Sequence, residues 1–495
     1  MSEARRMTLF RSRPRRGPQK QRIAFTAFVL VLFAPYPATA GEDTLRQRVE
    51  ATIAADAPGA RIGLLVETED GREVIAIAPD ARYVPASNTK MFTTAAAFHR
   101  LPDPFGPDAR GGAAVRLDRS AGAAPDVILE GNGDARLSSA ADCVTNCLAV
   151  LADAVSAATR EVRHVIGDDT RFPDERWSPG MSWNNIPTRS GTGISALSLD
   201  DNELHLRVVP TAPGQAPRLE SLPYFEFDNQ ATTTAAGPNE LTFDRLPGSM
   251  RVRLAGTIAA GGEAELLRLG IDDPAHYAAW RLKILLEERG VRVSGDVNVR
   301  HRPVDGPADP PASRASPLAQ LVPPPLSEDI SVVNKVSQNL HAELLLRRIG
   351  VQTGDGSIAD GVAVIEAMME DAGVPRSSYD FSDGSGMSTY NRVTPRSVVA
   401  LLKWARAQPW GPAWLATLPV AGVDGTLAQR FRGTLLEGRL FAKTGGLNGT
   451  SALSGLMIAA SGQTLIFSIF ANDVPRGGGA SRALDAALEI VAVNN

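Results

Sequence analysis

Pro85-Ala86-Ser87-Asn88-Thr89-Lys90, leading into the Ala- and Phe-rich stretch Met91 to Leu101, is the most informative segment of this 495-residue chain. The apolar run reads as a buried helix with Ser87 at its N-terminus. Lys90 lies one turn further along the same face. A helix N-terminus supplies unpaired backbone N–H groups and the positive end of the helix dipole, both suited to a developing oxyanion. A serine that only capped the helix would call for no lysine one turn later. Together the two residues read as a nucleophile beside its base.

Two more stretches follow in fixed order, Ser337-Gln338-Asn339 and Lys443-Thr444-Gly445. Each pattern alone is weak, whereas the ordered trio is specific. The chain has six lysines (Lys20, Lys90, Lys283, Lys335, Lys403, Lys443) among fifty-one basic residues, and two of the six complete these patterns. Arginine cannot surrender its proton in a protein, but a desolvated lysine can approach a neutral pKa and act as a base. Lys335, two residues before Ser337, faces elsewhere and is given no chemistry.

The trio resembles the S-x-x-K, S-x-N and K-T-G motifs of the penicillin-recognising serine enzymes. Val333-Asn334-Lys335-Val336-Ser337-Gln338-Asn339-Leu340, Asp383-Gly384-Ser385-Gly386-Met387-Ser388, Val423-Asp424-Gly425-Thr426-Leu427 and Ala442-Lys443-Thr444-Gly445 narrow the likeness, as do Gly167-Asp168-Asp169 and Ser195-Ala196-Leu197-Ser198. They are similar to the low-molecular-mass, class C penicillin-binding proteins of the D-Ala-D-Ala carboxypeptidase and endopeptidase type, peptidase family S13. The resemblance implies an α/β fold, with a β-lactamase/transpeptidase-like catalytic domain interrupted by a mainly β insertion. The expected boundaries are 44–100 plus 316–495 for the catalytic domain and 101–315 for the insertion, which is expected to hold two nested subdomains. The 250 positions between Ser87 and Ser337, against 106 between Ser337 and Lys443, leave room for it.

On this resemblance Ser87 is the nucleophile and Lys90 its base, its pKa lowered further by Lys443. Ser337 relays a proton to the leaving amine, and Asn339 donates to the substrate backbone. Lys443 and Thr444, on a strand with Gly445, offer a cation and a hydroxyl to a substrate carboxylate. The oxyanion donors are the N–H groups of Ser87 and Gly446, and Ser385 is a substrate contact in a cleft wall. Three positions depart from the family pattern. Gly446 stands where a Thr or Ser is usual, Thr389 where Arg is frequent, and Asn185 where relatives have an Asp implied in gripping diaminopimelate. The implied activity is a serine D-Ala-D-Ala carboxypeptidase with D,D-endopeptidase action on peptidoglycan peptides, inhibited covalently by β-lactams and needing neither metal nor cofactor. The alternatives are a β-lactamase-type hydrolase and a weakly active muropeptide-binding scaffold.

The first forty residues read as an export signal, with a basic stretch, an apolar run from Ile23 to Pro35, and Ala38-Thr39-Ala40 as the cleavage site, which implies a periplasmic protein. The run is about a dozen residues, short of the ~20 needed to span a bilayer. Without this segment forty-three basic side chains face fifty-four acidic ones, a net charge of −11, so no basic surface argues for a nucleic-acid or anionic-membrane partner. Cys143 and Cys147 fall in a helical-looking stretch, Ser138 to Ala158. On one helix face their Cα atoms would sit about 6 Å apart, within disulfide range, with two buried free thiols as the other state. The six histidines lack metal-ligand spacing. A hairpin (Arg61 to Thr68, Glu73 to Ile77), strands at Val127 to Glu130, Glu203 to Val209, Met250 to Ala255 and Leu465 to Ala471, helices at Pro274 to Arg289 and Ala483 to Val493, and a Pro-rich return linker from Arg302 to Pro325 complete the expectation.

Overall fold

The stretch from Thr450 to Asn472 is apolar at most positions, the pattern of strands covered on both faces. In the computed structural model, which describes residues 40–120, 122, 124–306 and 316–495, these strands form the middle of a five-stranded antiparallel sheet. Its spatial order is Glu73–Ile77, Arg61–Thr68, Thr464–Asn472, Thr450–Ile458, Leu440–Leu447. Alternate side chains serve opposite faces. Leu64, Val66, Leu453, Met457, Phe467 and Ile469 pack with Val49 and Ile53 of the helix Ala40–Asp56 and with Leu484, Leu488 and Val491 of the helix Ala480–Val493. Leu65, Ala452, Leu456, Ile466 and Phe470 face the other way, into a cluster built by the helices Thr89–Arg100, Leu326–Lys335, Asn339–Gly350, Ile358–Asp371 and Pro395–Arg406. The export signal expected over residues 1–40 lies, but for Ala40, outside the described residues.

The helix Thr89–Arg100 runs through the centre of that cluster, and every residue from Thr89 to Phe98 is buried. Its polar groups are therefore partnered internally. Thr94 Oγ1 donates to the Lys90 carbonyl (2.7 Å) and accepts from Trp414 Nε1 (3.0 Å). The helix stops at Leu101, whose backbone is extended ahead of Pro102.

The inserted part is organised on a second five-stranded sheet, in the order Val297–Arg302, Val165–Pro173, Asp126–Glu130, Ala114–Asp118, Ala319–Gln320. The two pairings made by Val165–Pro173 are parallel, and the two made by Ala114–Asp118 are antiparallel. Two three-stranded sheets, around Glu203–Val209 and Arg251–Ala255, share one apolar cluster with it and with the helices Leu148–Ala158 and Pro274–Glu288. Because Ala319–Gln320 still pairs with Ala114–Asp118, the inserted sheet extends a few residues past the expected boundary at 316, and the return linker contains a strand.

The helix expected over Ser138 to Ala158 begins only at Leu148. Polar side chains divert the preceding backbone: Asp200 accepts from Ser138 Oγ, Ser139 N and Ser139 Oγ, and Asn146 is left-handed at φ 60°. Cys143 and Cys147 are joined by a disulfide, Cα–Cα 5.8 Å, across this loop instead of along a helix face. So short a loop limits the stabilisation to about 2 kcal/mol in the chain-entropy account. Replacing both cysteines by serine is expected to lower the melting temperature measurably while leaving the rate of penicillin acylation unchanged. No helix among the described residues is long and apolar enough to cross a membrane.

Candidate active site

Ser87 sits in a short 3-10 turn, Ala86–Asn88, that leads into the helix Thr89–Arg100. The buried Ala86 before it is held left-handed at φ 47°, a conformation costing a non-glycine residue of order 1–3 kcal/mol and typical of functional turns. Gly386 packs directly on this turn. A Cβ there would lie 1.9 Å from the Ala86 carbonyl oxygen, so only glycine permits the approach.

Lys90 is fully buried, and its amine has three neighbours: Ser87 Oγ at 3.0 Å, Asn339 Oδ1 at 2.7 Å and the Ser385 carbonyl at 2.6 Å. The orientation of the Asn339 amide is fixed from its other end, where Nδ2 donates to the Ser190 carbonyl (3.0 Å). Asn339 Oδ1 and Ser385 O can only accept, so they take both hydrogens of a neutral amine. Its lone pair is then left facing the Ser87 hydroxyl. Burial pushes the Lys90 pKa down to about 7, against the opposing pull of the Asp383 and Glu343 carboxylates.

Lys443, also buried, donates to Ser337 Oγ and to the Thr444 carbonyl, both at 3.0 Å. Its pKa lies well below the ordinary lysine value, first through burial and then through the charge of Lys90. Burial is the first cause of the lowering at both lysines. Asn88 Nδ2 donates to the Lys443 carbonyl (3.0 Å) and ties the Ala86–Asn88 turn to the strand Leu440–Leu447. Ser337 lies between the helices Leu326–Lys335 and Asn339–Gly350, not within one continuous helix, and its φ of 62° turns its hydroxyl to Lys443. Thr444 Oγ1 donates to Thr426 Oγ1 (2.8 Å), and Lys335 pairs with Asp424 (2.6 Å), away from the nucleophile. Gly445 packs close to the Pro85 carbonyl, and Gly446 is exposed with open space where a side chain would stand.

Ser385 is buried, and its carbonyl accepts from Lys90. Thr389 Oγ1 donates to the Gly180 carbonyl (3.0 Å), so its hydroxyl holds a loop of the inserted part. Asn185 ends the turn Trp183–Asn185 in that loop, and no hydrogen bond joins its side chain to the motif residues. The sequence reading did not single out Glu343, one turn after Asn339. Its Oε1 accepts from Gly384 N (3.0 Å) and Ser385 N (2.8 Å). A charged residue at i+4 from Asn339 within an otherwise leucine-rich helix face was the available signal.

The sequence model of the D-Ala-D-Ala carboxypeptidase 3 (S13) family matches residues 45–494. The chain is 35% identical over 450 residues to a D-alanyl-D-alanine carboxypeptidase of Actinomadura sp. (strain R39), covering 86% of this chain and 81% of that protein. It is 24% identical over 433 residues to D-alanyl-D-alanine carboxypeptidase DacB of Haemophilus influenzae, covering 85% and 87%. The crystal structure of penicillin-binding protein 4 from Haemophilus influenzae has a similar fold, with a TM-score of 0.75 at 21% identity over 90% of this chain and 98% of that one. The fold is accordingly of the transpeptidase/β-lactamase type with additional domains. A family match running from the first described helix to the last places this protein in the D-Ala-D-Ala carboxypeptidase 3 (S13) family.

Proposed function

We propose that this chain is a serine D-Ala-D-Ala carboxypeptidase that also opens D-Ala-containing cross-links of peptidoglycan, through an acyl-enzyme on Ser87. The observation that carries the mechanism is the Lys90 amine, held by two obligate acceptors with its lone pair toward Ser87. As Ser87 Oγ attacks the carbonyl of the penultimate D-Ala, its proton passes to Lys90. The oxyanion is received by the N–H groups of Ser87 and Gly446. Ser337, backed by Lys443, protonates the leaving amine, and terminal D-Ala departs. Water then releases the peptide by the reverse sequence of proton transfers. Lys443 and Thr444 receive the terminal carboxylate. The export signal implies that this takes place in the periplasm, after cleavage following Ala40.

The test is to incubate the protein with labelled penicillin and, separately, with D-Ala-D-Ala peptides and cross-linked muropeptides. Stoichiometric labelling with D-Ala release supports the proposal. Rapid discharge of hydrolysed penicillin would favour a β-lactamase, and labelling without D-Ala release a scaffold. Absence of any covalent label would overturn the acyl-enzyme.

Gly446 leaves the carboxylate short of one hydroxyl, and a charged-group hydrogen bond contributes about 1.5–3 kcal/mol. Because nothing lies within 4 Å of a Cβ at this position, Gly446→Thr fits without strain. It is expected to raise kcat/KM on D-Ala-D-Ala peptides at least tenfold or so, in line with that range. An unchanged or lower value in steady-state assays would show that the carboxylate is held elsewhere.

A further inference from the structure

Two carboxylates lie under the nucleophile, and their surroundings differ. Asp383 is saturated, accepting from Gly386 N (2.9 Å), Ser388 N (2.6 Å) and Asn391 Nδ2 (2.5 Å). Glu343 is as deeply buried, yet only Oε1 is engaged, by Gly384 N and Ser385 N. Its Oε2 accepts no hydrogen bond from any described residue. Glu343 lines a cavity of about 20 Å³ together with Asn339, Ser385, Met387, Ser190 and Arg176, room for a single water. The backbone that Glu343 clamps is the one whose carbonyl, Ser385 O, takes a hydrogen of the Lys90 amine.

We propose that Glu343 is a positioning residue for the acyl transfer: it clamps the Gly384–Ser385 backbone against Lys90, and its buried charge sets the pH at which Lys90 becomes a base. This rests on Lys90 serving Ser87 as derived above. The charged groups around the pair are Lys90 from the helix Thr89–Arg100, Arg347 from the helix of Glu343 itself, Asp383 from the neighbouring loop, Glu175 and Arg176 from the inserted part, and Lys443 from the strand. Burial, and then the charge of Asp383, raises the Glu343 carboxyl to about 7 against the pull of Arg347. Wherever Glu343 is ionised it favours the ammonium form of Lys90, so removing that charge frees the amine at lower pH.

The experiment follows the acylation rate of the full chain with fluorescent penicillin from pH 5 to 9, for the native protein, Glu343→Gln and Glu343→Asp, with thermal melts to establish folding. Glutamine keeps an acceptor for the two N–H groups but has no charge. Its acid-limb midpoint is expected to fall by about one unit, the lower end of the effect of a nearby charge. One unit below the native midpoint, the fraction of the plateau rate then rises roughly fivefold. Aspartate keeps the charge but is too short to hold the backbone, so its midpoint stays within about half a unit of native while its plateau falls. A native midpoint in Glu343→Gln would overturn the inference, as would equal displacement in both variants. If the glutamine variant does not fold, Glu343→Asp decides: a lowered plateau at the native midpoint supports the inference, and a native plateau overturns it. Absence of labelling in the native protein would instead be a failure of the acyl-enzyme reading itself.

Discussion

Ser87→Ala is expected to abolish covalent labelling by penicillin and to lower D-Ala release by several orders of magnitude, up to about 10⁶-fold where a serine nucleophile is lost outright. The chemistry leaves no substitute, because the acyl-enzyme bond is made to Ser87 Oγ and an alanine has no atom to form it. The fold is expected to survive. The Ser87 hydroxyl caps neither the turn Ala86–Asn88 nor the helix that follows, and its hydrogen-bonding neighbour is Lys90. Substrate binding should survive as well, since Lys443, Thr444 and the backbone donors are untouched. Intact-mass spectrometry after incubation with penicillin reads the outcome directly: one adduct on the native chain, none on the variant, with matching melting curves. An adduct on the alanine variant, or one mapped to another residue, would remove Ser87 from the mechanism.

The parts of this site legible from sequence are those where the proposed chemistry falls to a side chain. Ser87, Lys90, Ser337 and Lys443 belong to short motifs, and the structure joins them in two hydrogen-bonded groups: Ser87 with Lys90, Asn339 and Ser385, and Ser337 with Lys443, whose carbonyl accepts from Asn88, the residue after Ser87. The flanking elements were legible for local reasons. The hairpin Arg61–Thr68 with Glu73–Ile77 follows from alternation around an Asp-Gly turn, and the helix Pro274–Glu288 from a Pro in its first turn behind the capping Asp273. What was hidden is carried by backbone atoms. Carbonyls of Ser385 and Ser190 orient the base, and a carbonyl acceptor leaves no trace in residue type. The same holds for Thr389, whose hydroxyl donates to the Gly180 carbonyl.

Those backbone contacts also explain why the insertion matters to the catalytic body. Ser190 O fixes Asn339, Pro179 O and Gly180 O accept from Ser388 and Thr389, and the Glu175 carbonyl accepts from the buried Arg347. His341, two residues after Asn339, bonds Asp201 through Nε2 (2.8 Å) and Asp329 through Nδ1 (2.5 Å). Burial opposes its charge, but the two carboxylates outweigh it and raise its pKa to about 10. Asp200, Asp201 and Asn202 are three consecutive left-handed residues, a turn whose strain is of order 1–3 kcal/mol per residue. It brings Asp201 to His341 on the catalytic helix. The inserted part thus holds the helix Asn339–Gly350 through Asn339, His341 and Arg347.

Lys90→Arg is expected to be nearly as damaging as Lys90→Ala, lowering penicillin acylation by about 10²–10⁴-fold, the usual contribution of a positioned general base. Charge conservation does not help, because the guanidinium has no lone pair at any accessible pH and cannot take the Ser87 proton. Geometry adds to the loss. The native amine fits a buried site with two acceptors at 2.6 and 2.7 Å, and a planar fork of five donors cannot be satisfied there. The native acylation rate should rise with pH along a limb near pH 7, where burial places the Lys90 pKa: below it the amine is charged and the rate falls, above it the rate is level. Both Lys90 variants should lack that limb. Lys443→Arg should be milder, since the role proposed there, facing a carboxylate and backing Ser337, needs no lone pair. Stopped-flow acylation of the three variants separates the roles. Comparable rates for Lys90→Arg and Lys443→Arg, or a limb that persists in Lys90→Arg, would mean that another group deprotonates Ser87.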